Sequence, residues 1–260
     1  MMVKQGSIAW VTGASAGIGR ATAFELARRG YRVAVSARRE DALSNLAAEA
    51  AAAGLDIRPF VADVTDTASV ASAIGAIEDT MGPIHLALLN AGIYEPVDGK
   101  SPELDAFRRS FQVNLMGTVN ALVPLIERMK LRGSGHIAIV ASVTGYTGMP
   151  TSAAYGATKA GLINMAESLK FDLDPLGIKI QVICPGFVET EATDKNEFPM
   201  PFIIPAAEAA RRIADGLEKN GFEITFPRRF TYILKFGRVL PYSLYFPLAR
   251  SIMGWPAPKK

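Results

Sequence analysis

Tyr155 and Lys159 stand four positions apart in Tyr155-Gly156-Ala157-Thr158-Lys159. That spacing puts both side chains on one face if the segment is helical. An ammonium beside a phenol favours the phenolate and lowers a pKa that is about 10 in free tyrosine. Such a tyrosine can exchange a proton with an alcohol or a carbonyl near neutral pH. The same two residues also decorate amphipathic helices that do no chemistry, so the pair takes its meaning from the elements around it.

The second candidate for chemistry is a glycine cluster. Residues 7–12 read as a short buried strand and 20–29 as a helix closed by Gly30. Between them lie Gly13, Ser15, Gly17, Ile18 and Gly19. Glycines let backbone amides come close to a phosphate, and a helix N-terminus adds its positive end. Many strand-to-helix turns carry glycines, but here the strand before and the helix after supply the required context. Residues 31–37 form the next strand. An acid near its end would hold the ribose hydroxyls of NAD(H), whereas the chain reads Ser36-Ala37-Arg38-Arg39. Arg38 suits a 2′-phosphate through charge-assisted hydrogen bonds, so NADP(H) is favoured over NAD(H). Ala16 adds no basic contact to that phosphate, and the two arginines could also simply begin a solvated helix.

The elements that must position these residues follow in order. Residues 41–53 are an alanine-rich helix, 56–61 a strand ending at Asp63-Val64, and 67–81 a helix stopped by Gly82-Pro83. Strand 84–89 leads into Asn90-Ala91-Gly92. A long helical stretch from Ser101 to about residue 132, in one piece or two, contains Asn114. Strand 135–141 delivers Ser142, and the helix over 153–174 carries Tyr155 and Lys159. Strand 179–184 runs into Pro185-Gly186-Phe187-Val188-Glu189-Thr190, and 222–226 offers a seventh strand. Strands and helices alternate, which predicts right-handed crossovers and a parallel sheet with helices on both faces. Taken singly, Asn114 could cap or kink a helix, Ser142 could close a strand, Asp63 could serve a helix N-terminus, and Asn90 and Gly92 could be turn residues.

Taken together, these motifs resemble the short-chain dehydrogenase/reductase family over about residues 5–227. Thr12-Gly13-x-x-x-Gly17-Ile18-Gly19 is similar to its cofactor turn, Asp63-Val64 to its adenine contact, and Asn90-Ala91-Gly92 to the motif closing its fourth strand. Asn114, Ser142, Tyr155 and Lys159 fall at its catalytic tetrad, and Pro185-Gly186-x-Val188-x-Thr190 at the segment beside the nicotinamide. The resemblance implies a Rossmann-like doubly wound α/β sheet of about seven strands in a single domain. It also implies hydride transfer between nicotinamide and a carbinol carbon, with Ser142 polarising the carbonyl oxygen and Tyr155 giving the proton. Lys159 would lower the tyrosine pKa and hold the ribose, and Asn114 would orient a water leading to Lys159. Homodimers or homotetramers are expected on the same ground.

Composition bounds the rest. The 260 residues are 49% hydrophobic and 20% charged, enough for a full core. A net charge of +3 is too small to argue for nucleic acid. Cys184 is the only cysteine, which fits a reducing, cytoplasmic compartment and a small buried side chain. His85 and His136 show no ligand spacing, so no metal site is expected. No secretory signal and no spanning helix are expected. Residues 191–205 should form a substrate loop and lid, and Phe198-Pro199-Met200-Pro201-Phe202 suggests an apolar small-molecule substrate. The chain divides into a catalytic domain over 1–227 and a helical extension over 228–260. From Phe222 onward it holds 9 of the 22 aromatic residues and carries +6, against −3 for the remainder. That end could lie on a membrane surface, bind a partner subunit, or cover the chain's own pocket. The expected function is NADP(H)-dependent interconversion of a carbonyl and an alcohol. The rival reading is a catalytically silent NADP(H)-sensing protein of the same fold.

Overall fold

A computed structural model of the chain describes residues 5–191, 193 and 200–254. Its centre is a seven-stranded sheet built from β1 (Ile8–Thr12), β2 (Arg32–Ser36), β3 (Ile57–Pro59), β4 (Ile84–Leu89), β5 (Gly135–Val140), β6 (Ile178–Pro185) and, after a small parallel pair β7 (Val188–Glu189) and β8 (Ile204–Pro205), β9 (Glu223–Phe226). The order is β3-β2-β1-β4-β5-β6-β9, and all pairings are parallel. A strand buried on both faces needs an unbroken apolar run rather than alternation. β1 meets that demand, with all five residues buried.

The helices are α1 (Gly17–Arg28), α2 (Glu40–Ala52), α3 (Thr67–Met81), α4 (Leu104–Ser110), α5 (Gly117–Arg132), α6 (Ala153–Leu173), α7 (Ala206–Leu217), α8 (Arg228–Val239) and α9 (Tyr242–Met253). One apolar layer joins the sheet to α3, α5 and α6 through residues such as Ile74, Leu125 and Leu162. The other joins it to α1, α2 and α7 through Leu26, Leu46 and Ile213. Element ends have local causes. Asp66 caps α3 by accepting from the amide of Ala68, and Gly133 ends α5 in the left-handed region.

One expectation changes, and one alternative left open by the sequence is decided. The strand expected over 56–61 is only Ile57–Pro59, and Asp56 just before it binds Arg32 and Arg58 at the sheet edge. The long helix around Asn114 is broken by a π-helical turn, Phe111–Met116, between α4 and α5. Such turns widen a helix by one residue and frequently mark functional sites. The order of strands reverses between β1 and β4, which opens a crevice at their carboxyl ends. The extension is joined to this body, since Phe230 of α8 lies in the main core.

Candidate active site

A cavity of about 1070 Å³ opens at the carboxyl ends of the strands, from the turn after β1 to α8 and α9. At one end lies the glycine turn. Gly13 has φ +65° and Gly17 has φ +53°, a backbone region costly for side chains. A Cβ on Gly13 would come within 2.7 Å of the Ala91 Cα, and one on Gly17 within 3.0 Å of the Thr190 methyl. Ala16 at the N-cap of α1 offers no side-chain acceptor and the first turn holds no acid. The first-turn amides are therefore free to meet an anion. Asn90 fixes this turn from β4: its Nδ2 donates to the carbonyls of Thr12 (3.0 Å) and Gly13 (3.2 Å). The Thr12 hydroxyl accepts from the amides of Asn90 and Ala91, a role the sequence did not single out.

Beside the turn, Ala37, Arg38 and Arg39 follow β2 on the cavity wall. Arg39 reaches back to Ser15, donating from Nη2 to Oγ at 3.3 Å, which adds a second guanidinium to the one expected. Asp63 faces them. Burial works to raise its pKa, but hydrogen bonds from the amide and hydroxyl of Thr65 and the charge of Arg38 hold it below the usual carboxylate range. The Val64 carbonyl accepts from Asn120, and its side chain packs where a Cβ on Gly117 would fall, 2.8 Å from Val64 Cγ2. These residues fit a dinucleotide: a glycine cradle with uncapped amides, a cationic edge and a short acidic loop along one wall.

Three of the four proposed chemical residues, Ser142, Tyr155 and Lys159, come together on the cavity wall, while Asn114 lies buried behind it. Tyr155 and Lys159 do share a face of α6, with Nζ 5.5 Å from the phenol ring centroid. Yet the expected drop in the tyrosine pKa is absent. Burial pushes Tyr155 up to about 12, with the Ser142 hydroxyl partly offsetting it. The Lys159 ammonium is itself engaged: Nζ donates to the Val140 carbonyl at 2.7 Å at the end of β5. Lys159 itself is pushed down to about 8 by burial. Ser142 follows β5, and its Oγ accepts from the Thr144 amide, which holds the side chain at the start of a short turn.

Asn114 is wholly buried. Its Oδ1 accepts from the Ile93 amide at 2.7 Å, while Nδ2 donates to the Ile93 carbonyl at 3.0 Å and the Thr158 hydroxyl at 3.2 Å. Both amide hydrogens are thus taken, and a water could be held only by the remaining lone pair of Oδ1. The side chain clamps the loop after β4 to α6. Gly92 completes the clamp: a Cβ there would stand 3.2 Å from Asn114 Oδ1 and 3.5 Å from Lys159 Nζ.

On the far wall, Pro185 ends β6, the Gly186 amide bonds to the Phe226 carbonyl at 2.8 Å, and Val188 starts β7. Thr190 closes the strip against the glycine turn. Of the expected lid, Met200, Pro201 and Phe202 line the cavity, while the part over 194–199, with Phe198 and Pro199, lies outside the described residues. Two further features shape the cavity, the second of them the pocket cover that the sequence offered as one reading of the extension. Tyr94 packs edge-on against Tyr155 with ring centroids 5.2 Å apart. Helices α8 and α9 supply cavity walls through Phe230, Leu234 and Tyr245, whose hydroxyl donates to the Gly148 carbonyl at 2.7 Å. Among the described residues no cluster of metal-ligating side chains occurs.

The family described as short chain dehydrogenase matches residues 7–199. An uncharacterized oxidoreductase of Myxococcus xanthus is 36% identical over 244 residues, covering 94% of this chain and 96% of that protein. Among solved structures, an actinorhodin polyketide ketoreductase variant with NADPH superposes with a TM-score of 0.78 at 26% identity, over 86% of this chain and 97% of that one. A short chain dehydrogenase/reductase from Burkholderia phymatum in complex with NAD shares the fold, with a TM-score of 0.84 at 22% identity over 100% of both chains.

Proposed function

The chain belongs to the short chain dehydrogenase family, and from that membership we propose that it is an NADP(H)-dependent oxidoreductase that interconverts a ketone and an alcohol on an apolar substrate. The observation that carries the reading is the convergence of Ser142, Tyr155 and Lys159 in one cavity with the glycine turn, with Asn114 bonded to α6 just behind them. When bound, the nicotinamide supplies or accepts the hydride. Tyr155, pushed up to about 12, keeps its proton at neutral pH and can give it to a carbonyl oxygen as that oxygen gains negative charge. The Ser142 hydroxyl beside it can donate a second hydrogen bond to the same oxygen. Lys159, held by the Val140 carbonyl, places a cation where a ribose hydroxyl and the phenol can share it. Asn114 positions this group by locking the loop after β4 to α6.

The preference for NADP(H) rests on the two guanidiniums after β2 and on the absence of an acid there. The apolar substrate rests on the wall chemistry: Met149, Phe187, Phe202, Phe230 and Leu234 surround the space beyond Tyr155. The test is Tyr155→Phe. Turnover of NADPH with aliphatic and aromatic ketones should fall about 10²–10⁴-fold, while NADPH affinity, read by fluorescence, stays within a few-fold. Near-normal turnover in that variant would remove Tyr155 from the mechanism.

A further inference from the structure

Helices α8 and α9 have an inner face with clear partners. Phe230 and Thr231 are buried, the Lys235 ammonium pairs with Glu223, and that carboxylate also takes the Tyr146 hydroxyl. Their outer face has no such partners. Tyr232, Phe236 and Val239 fall at i, i+4 and i+7, one stripe of α8 turned away from the core, with Phe236 64% and Val239 75% exposed. On α9, Tyr242 is 77% exposed, and Leu244 and Phe246 are also exposed, so that helix shows apolar side chains over most of its surface. Of the large hydrophobic side chains exposed among the described residues, eight of seventeen fall within residues 232–248. Helices bearing so much exposed apolar surface are costly in water, which points to an occupant.

Charge says which occupant. From Pro227 onward the sequence has seven basic residues and no acid. Arg228, Arg229 and Arg238 are exposed, and none of the three pairs with a carboxylate among the described residues. A second copy docked face to face would bring together two faces that both carry basic and no acidic side chains from α8 and α9, which costs energy. An anionic lipid surface satisfies both the arginines and the apolar stripe. Each helix has 12 residues, about 18 Å, too short to span. No helix among the described residues is long and apolar enough to cross a membrane. Ile233, Phe236 and Leu248 are at once exposed on this face and part of the cavity wall, so the mouth of the cavity opens onto it.

We propose that α8 and α9 form a docking surface for an anionic lipid bilayer, lying in its interface with the cavity mouth turned toward the acyl chains. Docking is independent of catalysis. Only its corollary, that an apolar substrate reaches the cavity from the bilayer, rests on the function proposed above.

The experiment is co-sedimentation of the full chain with vesicles of phosphatidylcholine alone and of phosphatidylcholine mixed with phosphatidylglycerol. Binding should require the anionic lipid and weaken with salt. Arg229→Gln with Arg238→Gln should lower the partition coefficient about 25-fold, at about fivefold per basic residue. Val239→Ser with Tyr242→Ser should lower it at least about tenfold. None of these four residues lines the cavity, so turnover of a water-soluble ketone should persist in both variants and shows that they fold. Absence of vesicle binding overturns the proposal, as does equal binding to both vesicle types. Self-association abolished by the Val239/Tyr242 pair, without vesicle binding, assigns the face to a second copy instead. A chain that binds vesicles but reduces no ketone leaves docking intact and defeats the catalytic reading alone.

Discussion

Lys159→Met separates what the buried ammonium does for the fold from what it does for the chemistry. Lys159 is 3% exposed, and its pKa falls from 10.5 to about 8, chiefly through burial. The folded pKa lies below the unfolded one, so between about pH 8 and 10.5 the unfolded chain holds the extra proton. Stability from this group is therefore lowest below pH 8 and rises as pH climbs through that window. The shift corresponds to about 3 kcal/mol of penalty for charging Lys159 in the fold at neutral pH. Between pH 7 and 9.5 the linkage relation returns about 2 kcal/mol of it. The variant has no proton there to lose. Removing the amine also leaves the Val140 carbonyl without its donor, which costs about 1–3 kcal/mol at every pH. The informative quantity is thus the difference between the two proteins against pH, not its value at one pH. Urea unfolding followed by tryptophan fluorescence, with Trp10 fully buried as the reporter, should show wild type gaining about 2 kcal/mol on Lys159→Met from pH 7 to 9.5. Turnover by the variant should be largely lost at both values. Stability curves that run parallel over this range would mean that Lys159 is not held by a desolvated ammonium, and the electrostatic account of the site would fail.

Two further outcomes are expected. Replacing Arg38 and Arg39 together by Leu should raise the KM for NADPH by about tenfold or more while that for NADH barely moves, since a charge-assisted hydrogen bond contributes about 1.5–3 kcal/mol; equal effects on both cofactors would refute 2′-phosphate recognition. Asn114→Ala leaves the amide and carbonyl of Ile93, a half-buried residue on the cavity wall, without their partner, so thermal unfolding should show a loss of about 1–3 kcal/mol together with reduced turnover. A variant as stable as wild type would show that Asn114 does not act as the clamp.

Much of this was legible because the relevant signals are local. The glycine turn needs left-handed backbone at Gly13 and Gly17, and only residue type can announce that. β1 and β6 had to be buried on both faces, and their apolar runs said so. Tyr155 and Lys159 met on one face because a helix has a fixed period. Ser142 joined them because a parallel sheet brings every strand's carboxyl end to the same edge.

What the sequence hid depends on which long-range neighbour wins a competition. Spacing placed an ammonium near a phenol, but the Val140 carbonyl, nineteen residues upstream, claims the lysine's proton, and the depth of α6 decides the sign of the tyrosine shift. The direction matters for mechanism. A tyrosine held near 12 keeps its proton at neutral pH, and a bound cation or a hydrogen-bonded ribose must lower that value before the phenolate can take a proton from an alcohol. The π-helical turn was hidden for a similar reason. Its extra residue turns Asn114 onto Ile93, and that demand comes from the loop after β4 rather than from the helix. In α8, periodicity alone offered two faces for one helix. The inner face is the one where Phe230 and Thr231 are buried and Lys235 pairs with Glu223, which leaves Arg228, Arg229 and Arg238 on the outside with the aromatic stripe. The buried Phe230 and Thr231 together with that ion pair therefore fix which face of α8 turns inward, and with it the chemistry of the surface around the cavity mouth.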